Sequence, residues 1–401
     1  MKLEQRFYLL SLFLCIIICF FIIYIIKPQL LLNIGQGSNK KLVNVESFSK
    51  KWSEKDDTGR IQRAINYAKR NKSFVVIFDS KEYYISAPLK VYSHIKLLGQ
   101  NKTKTKIISK GDIPAIASEG YFSPGVGSNN IEIENIGIYP REVTIKTKYD
   151  IELVNTYNSS VKNCYINDLA MSKSDVGGIR FSKDSKYNGN HFVNSVRECQ
   201  LQNASVVMES TDSYIQSNEI WADTRSFGIH IIKSSQFITN NQIVGSNVNG
   251  GLWIEDTKDS YDVELIRITD NFFDGSYDNV DSGVGLYAKN LRLSNITGNN
   301  FWRLMDEGIK LTNSHSITIM ANVFSDNNRR DAGKDDILLD SCSACVGVGN
   351  TFKRSLINQN KGSAIRTINS SENKNQFSAN SIFSSSFYNP NSFSNLDIGS
   401  E

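Results

Sequence analysis

The sequence has little proline, little net charge and no overall excess of apolar residues. Only 6 of the 401 residues are Pro, which argues against a proline-rich linker or wall protein. The net charge of +4 is small and its charged residues are dispersed, so the composition does not predict nucleic-acid binding. A mean hydropathy of -0.31 excludes a polytopic membrane protein. Asn is abundant instead, with 42 residues, and the apolar residues are densest in one block at the start.

This apolar block covers residues 7–26 and contains no charge. A helix of that length spans about 30 Å, the thickness of the hydrocarbon core of a bilayer. The run is longer than the core of a cleavable signal peptide, and no Ala-x-Ala cleavage site follows it. We therefore expect an uncleaved signal anchor with a cytoplasmic N-terminus. Everything after Lys27 is then expected outside the cytoplasm, in the periplasm or at the cell surface.

A six-residue pattern recurs through the rest of the chain. It consists of an aliphatic residue, two variable residues, Asn, one variable residue and a bulky apolar residue. Successive copies are 19 to 35 residues apart, as expected of a solenoid whose coils have a minimum length and whose extra residues form loops. The Asn position is occupied in turn by Cys164, Cys199, Asn218, Asn241, Asn271, Asn299, Asn322, Asn350 and Asn380.

Short alternating runs accompany the pattern, including those that start at Gly228, Gly251, Gly285 and Gly308. Alternation with period two predicts strands with one buried face. Asn side chains stacked at a turn would hydrogen-bond from coil to coil, which accounts for part of the Asn content. We therefore predict an all-β protein, a single-stranded right-handed parallel β-helix. Leucine-rich repeats are the rival solenoid, but their dense leucine pattern is absent.

A capping helix is predicted just before the repeats. Ile61, Ile65 and Ala68 fall on one helical face, and the preceding Asp-Asp-Thr at 56–58 supplies capping side chains. This motif, the Ile-Gln-x-Ala-Ile that follows, a strand at 74–78 and Tyr-Ile-Ser-Ala-Pro-Leu at 84–89 resemble the opening of pectin lyase-like β-helix proteins. That superfamily includes pectate lyase-type domains, polygalacturonases and phage tailspikes. The resemblance covers residues 43–385 and implies the fold, but it does not imply one reaction.

Alignment of the coils on the Asn position predicts one row of outward-facing strand residues. Neighbours in the row are expected about 4.8 Å apart. Aromatic side chains in this row suit the apolar faces of sugar rings, and its cations suit uronate carboxylates. The alternative is an ordinary sheet face covered by a loop. The row comprises Glu152, Arg180, Val207, His230, Trp253, Tyr287, Lys310, Leu338 and Arg366.

Acidic residues cluster before neighbouring strands, at Asp281, at Asp306 and Glu307, and at Asp335 and Asp336. Glycoside hydrolysis needs two carboxyl groups, one as the acid and one as the base or nucleophile. Asn-x-Asp at 279–281 followed by an acidic pair is similar to the polygalacturonase pattern, which implies catalytic roles for Asp281, Asp306 and Glu307. The Gly-His-Gly of that family is missing, and only a trace of its Arg-x-Lys remains at 365–367.

Elimination or epimerisation is the second possible chemistry. It requires a base that removes the proton beside a uronate carboxylate, and cations that stabilise the resulting anion. No cofactor is expected for hydrolysis, whereas in a lyase Asp335 and Asp336 would hold Ca²⁺. The candidates for the base and for the cations that bind substrate are His230, Tyr287, Lys310, Arg180, Arg329, Arg330 and Arg366.

The cysteines do not suggest a metal site. Cys164 and Cys199 occupy equivalent positions in successive repeats, so they come within disulfide range if their coils are adjacent. Cys342 and Cys345 have the spacing of a redox motif but lie in a β coil. The alternative for both pairs is that they are small buried residues.

These features predict an anchor over residues 1–27, a linker over 28–42, a β-helix domain over 43–386 and a polar tail over 387–401. The expected function is that of a membrane-anchored, extracytoplasmic protein that cleaves or modifies an acidic polysaccharide, by hydrolysis or β-elimination. The different-class alternative is a catalytically inert carbohydrate-binding or structural β-helix. The expected partners are a polysaccharide and, through the N-terminal helix, a membrane, without nucleic acid.

Overall fold

The computed structural model describes residues 42–109, 113–140, 149–167, 177–222, 227–245, 250–256, 262–275, 283–328, 334–354, 363–369 and 375–384. In this part of the chain, successive coils each contribute short strands to three long parallel sheets. This arrangement confirms the predicted parallel β-helix. The predicted anchor and the polar tail lie outside the described residues. Within the described residues, no helix is long and apolar enough to cross a membrane.

The first sheet has 14 strands, at Leu42–Asn44, Val75–Phe78, Lys96–Gly99, Glu132–Glu134, Ser160–Lys162, Ser195–Arg197, Ser213–Gln216, Gln236–Thr239, Val263–Glu264, Arg267–Thr269, Leu291–Thr297, His315–Met320, Val346–Val348 and Gln376–Ser378. The second has 12, at Glu82–Ile85, Lys106–Ser109, Gly137–Pro140, Tyr165–Asn167, Gln200–Gln202, Glu219–Trp221, Gln242–Val244, Phe272–Asp274, Asn300–Trp302, Val323–Ser325, Thr351–Arg354 and Ser381–Ser384. The third has 11, at Leu89–Val91, Ile116–Ser118, Ile151–Val154, Gly178–Ser182, Ser205–Met208, Phe227–Ile231, Gly250–Ile254, Leu286–Lys289, Ile309–Thr312, Ile337–Asp340 and Ile365–Ile368. Ser128–Asn129 and Thr156–Tyr157 form a separate pair.

The predicted capping helix, α1, spans Thr58–Arg70, and a 3-10 turn at Val45–Ser47 precedes it. A second short helix, α2, spans Glu119–Phe122. Helix α1 buries the predicted apolar face, including Ile61 and Ile65, against the first strands of the first and third sheets. The side chain of the N-cap residue, Asp57, does not cap the helix. The preceding residue, Asp56, instead accepts the backbone N–H of Thr58 at 3.0 Å.

The Asn ladder is present as predicted, at the turn between the first and second sheets. From Asn218 to Asn380, each side-chain amide donates to the side-chain oxygen of the next Asn at 2.9–3.1 Å. The backbone N–H of each Asn donates to that same oxygen at 2.9–3.0 Å. The buried ladder residues therefore satisfy one another, which is what a polar row inside a coil requires.

The bulky apolar residue of each repeat points into the coil interior. Phe273, Phe301, Phe324 and Phe352 stack with ring centroids 4.7–4.9 Å apart and nearly parallel planes. Beside this stack, glycines precede strands of the third sheet, with Gly285 before Leu286–Lys289 and Gly308 before Ile309–Thr312. A Cβ at Gly285 would lie 2.8 Å from Phe301 and 2.7 Å from the carbonyl oxygen of the next glycine, Gly308. Glycine is therefore needed here so that the chain can turn closely over the aromatic stack.

The four described cysteines, Cys164, Cys199, Cys342 and Cys345, are buried thiols without a disulfide bond. Cys164 and Cys199 lie on adjacent coils, as the repeat alignment predicts, since the backbone N–H of Cys164 lies 3.5 Å from Cys199 Sγ. Burial raises the pKa of the Cys164 thiol well above its usual range. A thiol in that state is a small core residue rather than a reactive one.

Candidate functional site

The predicted outward-facing row lies on the third sheet, in the predicted register. Its members pair directly across neighbouring strands, in the order Glu152, Arg180, Val207, His230, Trp253, Tyr287, Lys310, Leu338 and Arg366. The alignment on the Asn ladder therefore placed side chains on this sheet correctly across eight strand pairs.

The row is not evenly exposed, which corrects the expectation of one open face. Glu152, Val207 and His230 are buried, at 7%, 3% and 6% exposure. The reason is a second, outer apolar cluster on this sheet, formed by Tyr149, Val207, Phe227 and Ile232, with Trp253 packed against it. From Trp253 onward the row is half-buried, and Arg366 at its end is exposed. The continuous accessible part of the row therefore begins at Trp253, while Arg180 is a half-buried residue among buried ones.

His230 and Trp253 form an aromatic stack with Phe227. The His230 ring is stacked on the indole, and Phe227 lies 4.9 Å from His230 and 5.5 Å from Trp253 between ring centroids. Burial lowers the pKa of His230 to about 4, so the imidazole is neutral near pH 7. Its Nε2 lies 3.3 Å from the backbone carbonyl oxygen of Glu255. A carbonyl oxygen can only accept, so we assign the proton of the neutral ring to Nε2.

Arg180 is held in an ion-pair cluster at the buried end of the row. Its guanidinium contacts Glu209, with Nε at 3.2 Å from Oε1, and Glu152, with Nη1 at 3.6 Å from Oε1. Tyr149 lies under the guanidinium, 5.2 Å from ring centroid to Cζ. Burial opposes the charge, but the neighbouring Glu209 and Glu152 raise the pKa of Arg180. The charge of Arg180 is thus matched by protein carboxylates.

A second row beside the first was missed in the sequence. Glu255 accepts the Trp253 indole N–H at 3.2 Å and a hydrogen bond from Lys289 Nζ at 2.9 Å. Burial and the nearby Glu255 raise the pKa of the Tyr287 phenol. Glu255 and Lys289 each follow a row residue by two positions, so the period-two rule that found Trp253 and Tyr287 also points to them.

The carboxylates proposed for hydrolysis are not displayed as an open pair. Glu307 is 2% exposed, and its Oε1 lies 3.6 Å from Lys334 Nζ. Asp306 is half-buried and precedes it at the entry to the third sheet. Asp281 lies outside the described residues, as do Arg329 and Arg330. The catalytic roles of Asp281, Asp306 and Glu307 and the substrate-binding roles of Arg329 and Arg330 therefore stay predictions.

Asp335 and Asp336 are also buried and engaged. Asp335 Oδ1 accepts the backbone N–H of Ser363 at 2.6 Å, and its Oδ2 lies 3.1 Å from Arg366 Nε. Asp336 Oδ1 lies 3.3 Å from the donating amide of Asn327. Among the residues that the structure describes, no three His, Cys, Asp or Glu side chains converge as metal ligands. The calcium role expected of Asp335 and Asp336 in a lyase therefore stays a prediction.

Comparison with known proteins identifies the fold through structure alone. No family model matches the sequence, and no curated protein matches it. The structure is similar to the A-module of the mannuronan C-5 epimerase AlgE4 of Azotobacter vinelandii, with 16% identity, coverage of 86% of this chain and 98% of that chain, and a TM-score of 0.59. It is similar to PfbA, a surface adhesin of Streptococcus pneumoniae, with 16% identity, 87% and 93% coverage, and a TM-score of 0.56.

A third similar structure is the catalytic unit of the GH87 α-1,3-glucanase of Streptomyces thermodiastaticus, with 16% identity, 88% and 70% coverage, and a TM-score of 0.55. All three matches extend over most of this chain. Together with the all-parallel sheets, they confirm the resemblance to right-handed parallel β-helix proteins. At this level of identity they establish the fold, while an epimerase, an adhesin and a glucanase share it.

Proposed function

We propose that the protein binds an acidic polysaccharide along the third sheet and modifies it. One observation carries this proposal: Trp253, Tyr287 and Lys310 lie on three consecutive strands, in direct register and half-buried. Side chains that repeat about every 4.8 Å along a sheet suit a ligand that also repeats along its length. The aromatic groups would contact sugar rings, and Lys310 would pair with a uronate carboxylate.

The structural similarities support a polysaccharide ligand. Two of the three similar structures are named as enzymes that act on mannuronan and on α-1,3-glucan. The row in this protein has a lysine beside two aromatic residues. A cation at that point favours an acidic chain over a neutral one, because it can pair with a carboxylate. The net charge of the whole protein is only +4 and attracts anions weakly, so this preference must come from local cations.

Within this proposal, proton abstraction is favoured over hydrolysis. Hydrolysis needs one carboxylic acid and one carboxylate at the bond, whereas Glu307 is buried against Lys334. In elimination, a base takes the proton beside the uronate carboxylate, and the electron pair expels the glycosidic oxygen. In epimerisation, a proton returns to the same carbon from the opposite face. We propose that Tyr287 accepts or returns this proton while Lys310 stays the cation beside the uronate carboxylate, and that His230 supports Trp253 from beneath.

A catalytically inert binding protein is the second candidate. The observation that favours it is that Arg180 is matched by Glu209 and Glu152, while Arg366 faces Asp335. Cations that are already paired stabilise an enolate less effectively than unpaired ones. In that case the third sheet would hold the polysaccharide without changing it.

The proposed location is the outer face of a membrane, reached through the anchor at residues 1–27. The uncharged run at 7–26 supports this part of the proposal. Protease treatment of intact spheroplasts provides the test. We expect the β-helix domain to be digested while a tag at the N-terminus is protected, and the reverse pattern would contradict the proposed orientation.

The functional test uses the full chain, purified in detergent and incubated with a panel of uronic-acid polysaccharides. Rising ultraviolet absorbance from unsaturated uronates would show elimination, and changed sugar NMR signals without shortening of the chain would show epimerisation. New reducing ends without absorbance would instead show hydrolysis. Parallel samples with calcium or with a chelator test the calcium requirement expected of a lyase. Binding without turnover would support the inert candidate. If no polysaccharide of the panel binds, both the enzyme proposal and the inert binding candidate are contradicted.

A further inference from the structure

A second surface with the composition of a sugar site lies on the second sheet. It is an open depression of about 220 Å³ on the outer face of three consecutive strands. The third-sheet row described above contributes nothing to it. Its lining residues are Tyr165, Gln200, Leu201, Gln202, Glu219 and Trp221.

The polar side chains of this depression hold one another in place. Glu219 accepts the Trp221 indole N–H at 2.8 Å through Oε1 and the Gln200 amide at 3.0 Å through Oε2. The Tyr165 hydroxyl donates to Gln202 Oε1 at 2.7 Å. Each of these contacts fixes the orientation of a side chain that still has hydrogen-bonding capacity left, since an amide has two donors and two acceptor sites. The surface is thus organised before any ligand arrives.

Two aromatic residues, Tyr165 and Trp221, lie on the two outer strands of this depression. Gln200 pairs directly with Tyr165 on one side and with Glu219 on the other, while Gln202 pairs with Trp221. Tyr165 and Trp221 are therefore two strands and two residues apart, or about 12 Å between Cα atoms. Trp221 is 40% exposed. A large indole held in a fixed position at the surface by its own N–H is well suited to contact with the apolar face of a sugar ring.

The charge of the lining distinguishes this surface from the third sheet. Glu219 is the single ionisable carboxylate among the lining residues, and that lining contains no Lys, Arg or His. A uronate would be repelled by Glu219, whereas the hydroxyl groups of an uncharged sugar can bond to the two Gln amides and the carboxylate. We propose that the second sheet carries a separate binding site for a neutral saccharide, with Trp221 as its principal contact.

The test measures binding of neutral hexasaccharides to the full chain in detergent, by calorimetry and by tryptophan fluorescence. The probes are cellohexaose, laminarihexaose and maltohexaose, with a hexamer of galacturonate as the acidic comparison. Trp221→Ala is the test variant. Trp302→Ala is the matched control, because Trp302 occupies the same row three strands away and its ring is covered by Arg303, with Cζ 3.5 Å from the centroid.

We expect at least one neutral hexasaccharide to bind, Trp221→Ala to weaken it by at least about tenfold, and Trp302→Ala to leave it within about twofold. Trp221→Phe should lose less affinity than Trp221→Ala, since it keeps a ring but loses the bond to Glu219. The galacturonate hexamer should not compete. Failure of all three neutral probes to bind, or equal affinity of Trp221→Ala and the unmodified protein, would overturn the proposal. Trp253→Ala should leave neutral binding unchanged, so this result is separable from the function proposed for the third sheet.

Discussion

The His230 ring lies flat against the Trp253 indole, with ring centroids 4.5 Å apart and planes inclined by only 11°. The two residues are cross-strand partners on neighbouring coils of the third sheet. One face of the indole is therefore covered by the protein, and a sugar ring must use its remaining surface. Because His230 is also buried, the stack links the position of Trp253, the proposed ligand contact, to the protonation state of a core residue.

The first prediction concerns pH and His230. Burial lowers its pKa to about 4 in the folded protein, against 6.5 for the ordinary side chain. Between these two pH values the unfolded chain binds more protons at this site than the folded chain, so the free energy of unfolding falls as the pH falls from about 6.5 to 4. We expect His230 to account for roughly 2–3 kcal/mol of this loss.

Urea unfolding at pH 7 and at pH 4.5 measures this effect in the unmodified protein and in His230→Gln. Carboxylates also titrate in this range, so the difference between the two proteins is the relevant quantity. The variant should show the smaller pH dependence. Identical pH dependence in both would mean that His230 is not buried as a neutral imidazole.

A second prediction concerns ligand binding by Lys310. Lys310→Met should weaken binding of an acidic oligosaccharide by about tenfold and reduce the dependence of affinity on salt, because one ion pair is lost. Lys353→Met is the control, since Lys353 is exposed on the second sheet. Titration calorimetry at two salt concentrations provides the measurement. Unchanged affinity in Lys310→Met would remove this residue from the proposed site.

The third prediction concerns the Asn ladder. Asn271→Ala removes the acceptor for both the backbone and side-chain N–H of Asn241, which remain buried. We expect the free energy of unfolding to fall by about 2–3 kcal/mol. Asn295→Ala, at an exposed position on the first sheet, should change it by less than about 0.5 kcal/mol. Urea midpoints of the two variants provide the comparison, and equal losses would contradict a special role for the ladder.

The fourth prediction separates the two arginines at opposite ends of the row. Arg180→Met leaves Glu209, whose side chain is only 3% exposed, without its cation and should cost about 3 kcal/mol of stability. Arg366 has a side chain that is 45% exposed, so Arg366→Met should cost less than about 1 kcal/mol. Thermal unfolding measures both. If Arg180→Met instead retains stability and loses only polysaccharide affinity, Arg180 acts as the substrate contact that the sequence suggested.

Most of the fold was accessible from the sequence because the coils obey short rules. The alignment on the Asn positions predicted the register of the third sheet correctly from Glu152 to Arg366. Each ladder residue immediately precedes a strand of the second sheet and so marks one coil, although the number of residues from there to the third sheet varies. Stacked Phe273 and Phe301 follow from the same spacing. The period of two then assigned the faces, because alternate strand residues point to opposite sides.

The site was less accessible because exposure depends on what lies over a sheet. His230 and Val207 satisfy the outward alternation, yet they are buried by an outer cluster that includes Tyr149, which is distant in sequence. The pairing of Glu307 with Lys334 likewise joins residues from different coils. The depression at Trp221 lies on the second sheet, where the same Asn spacing predicts that Tyr165, Gln200 and Glu219 lie side by side.

The Asn ladder also gives the stack of coils a chemical polarity. From Asn218 to Asn350, each amide donates to the side-chain oxygen of the next Asn and also to a backbone carbonyl of the preceding coil. A residue that follows must therefore offer a side-chain oxygen, whereas a residue that precedes needs only backbone groups. Cys199 meets this lesser requirement, since its N–H donates to Asn218 Oδ1 at 2.9 Å. New coils grafted before Asn218 would therefore tolerate almost any small residue at that turn, while coils grafted after Asn350 would need a residue with a side-chain oxygen acceptor, such as Asn.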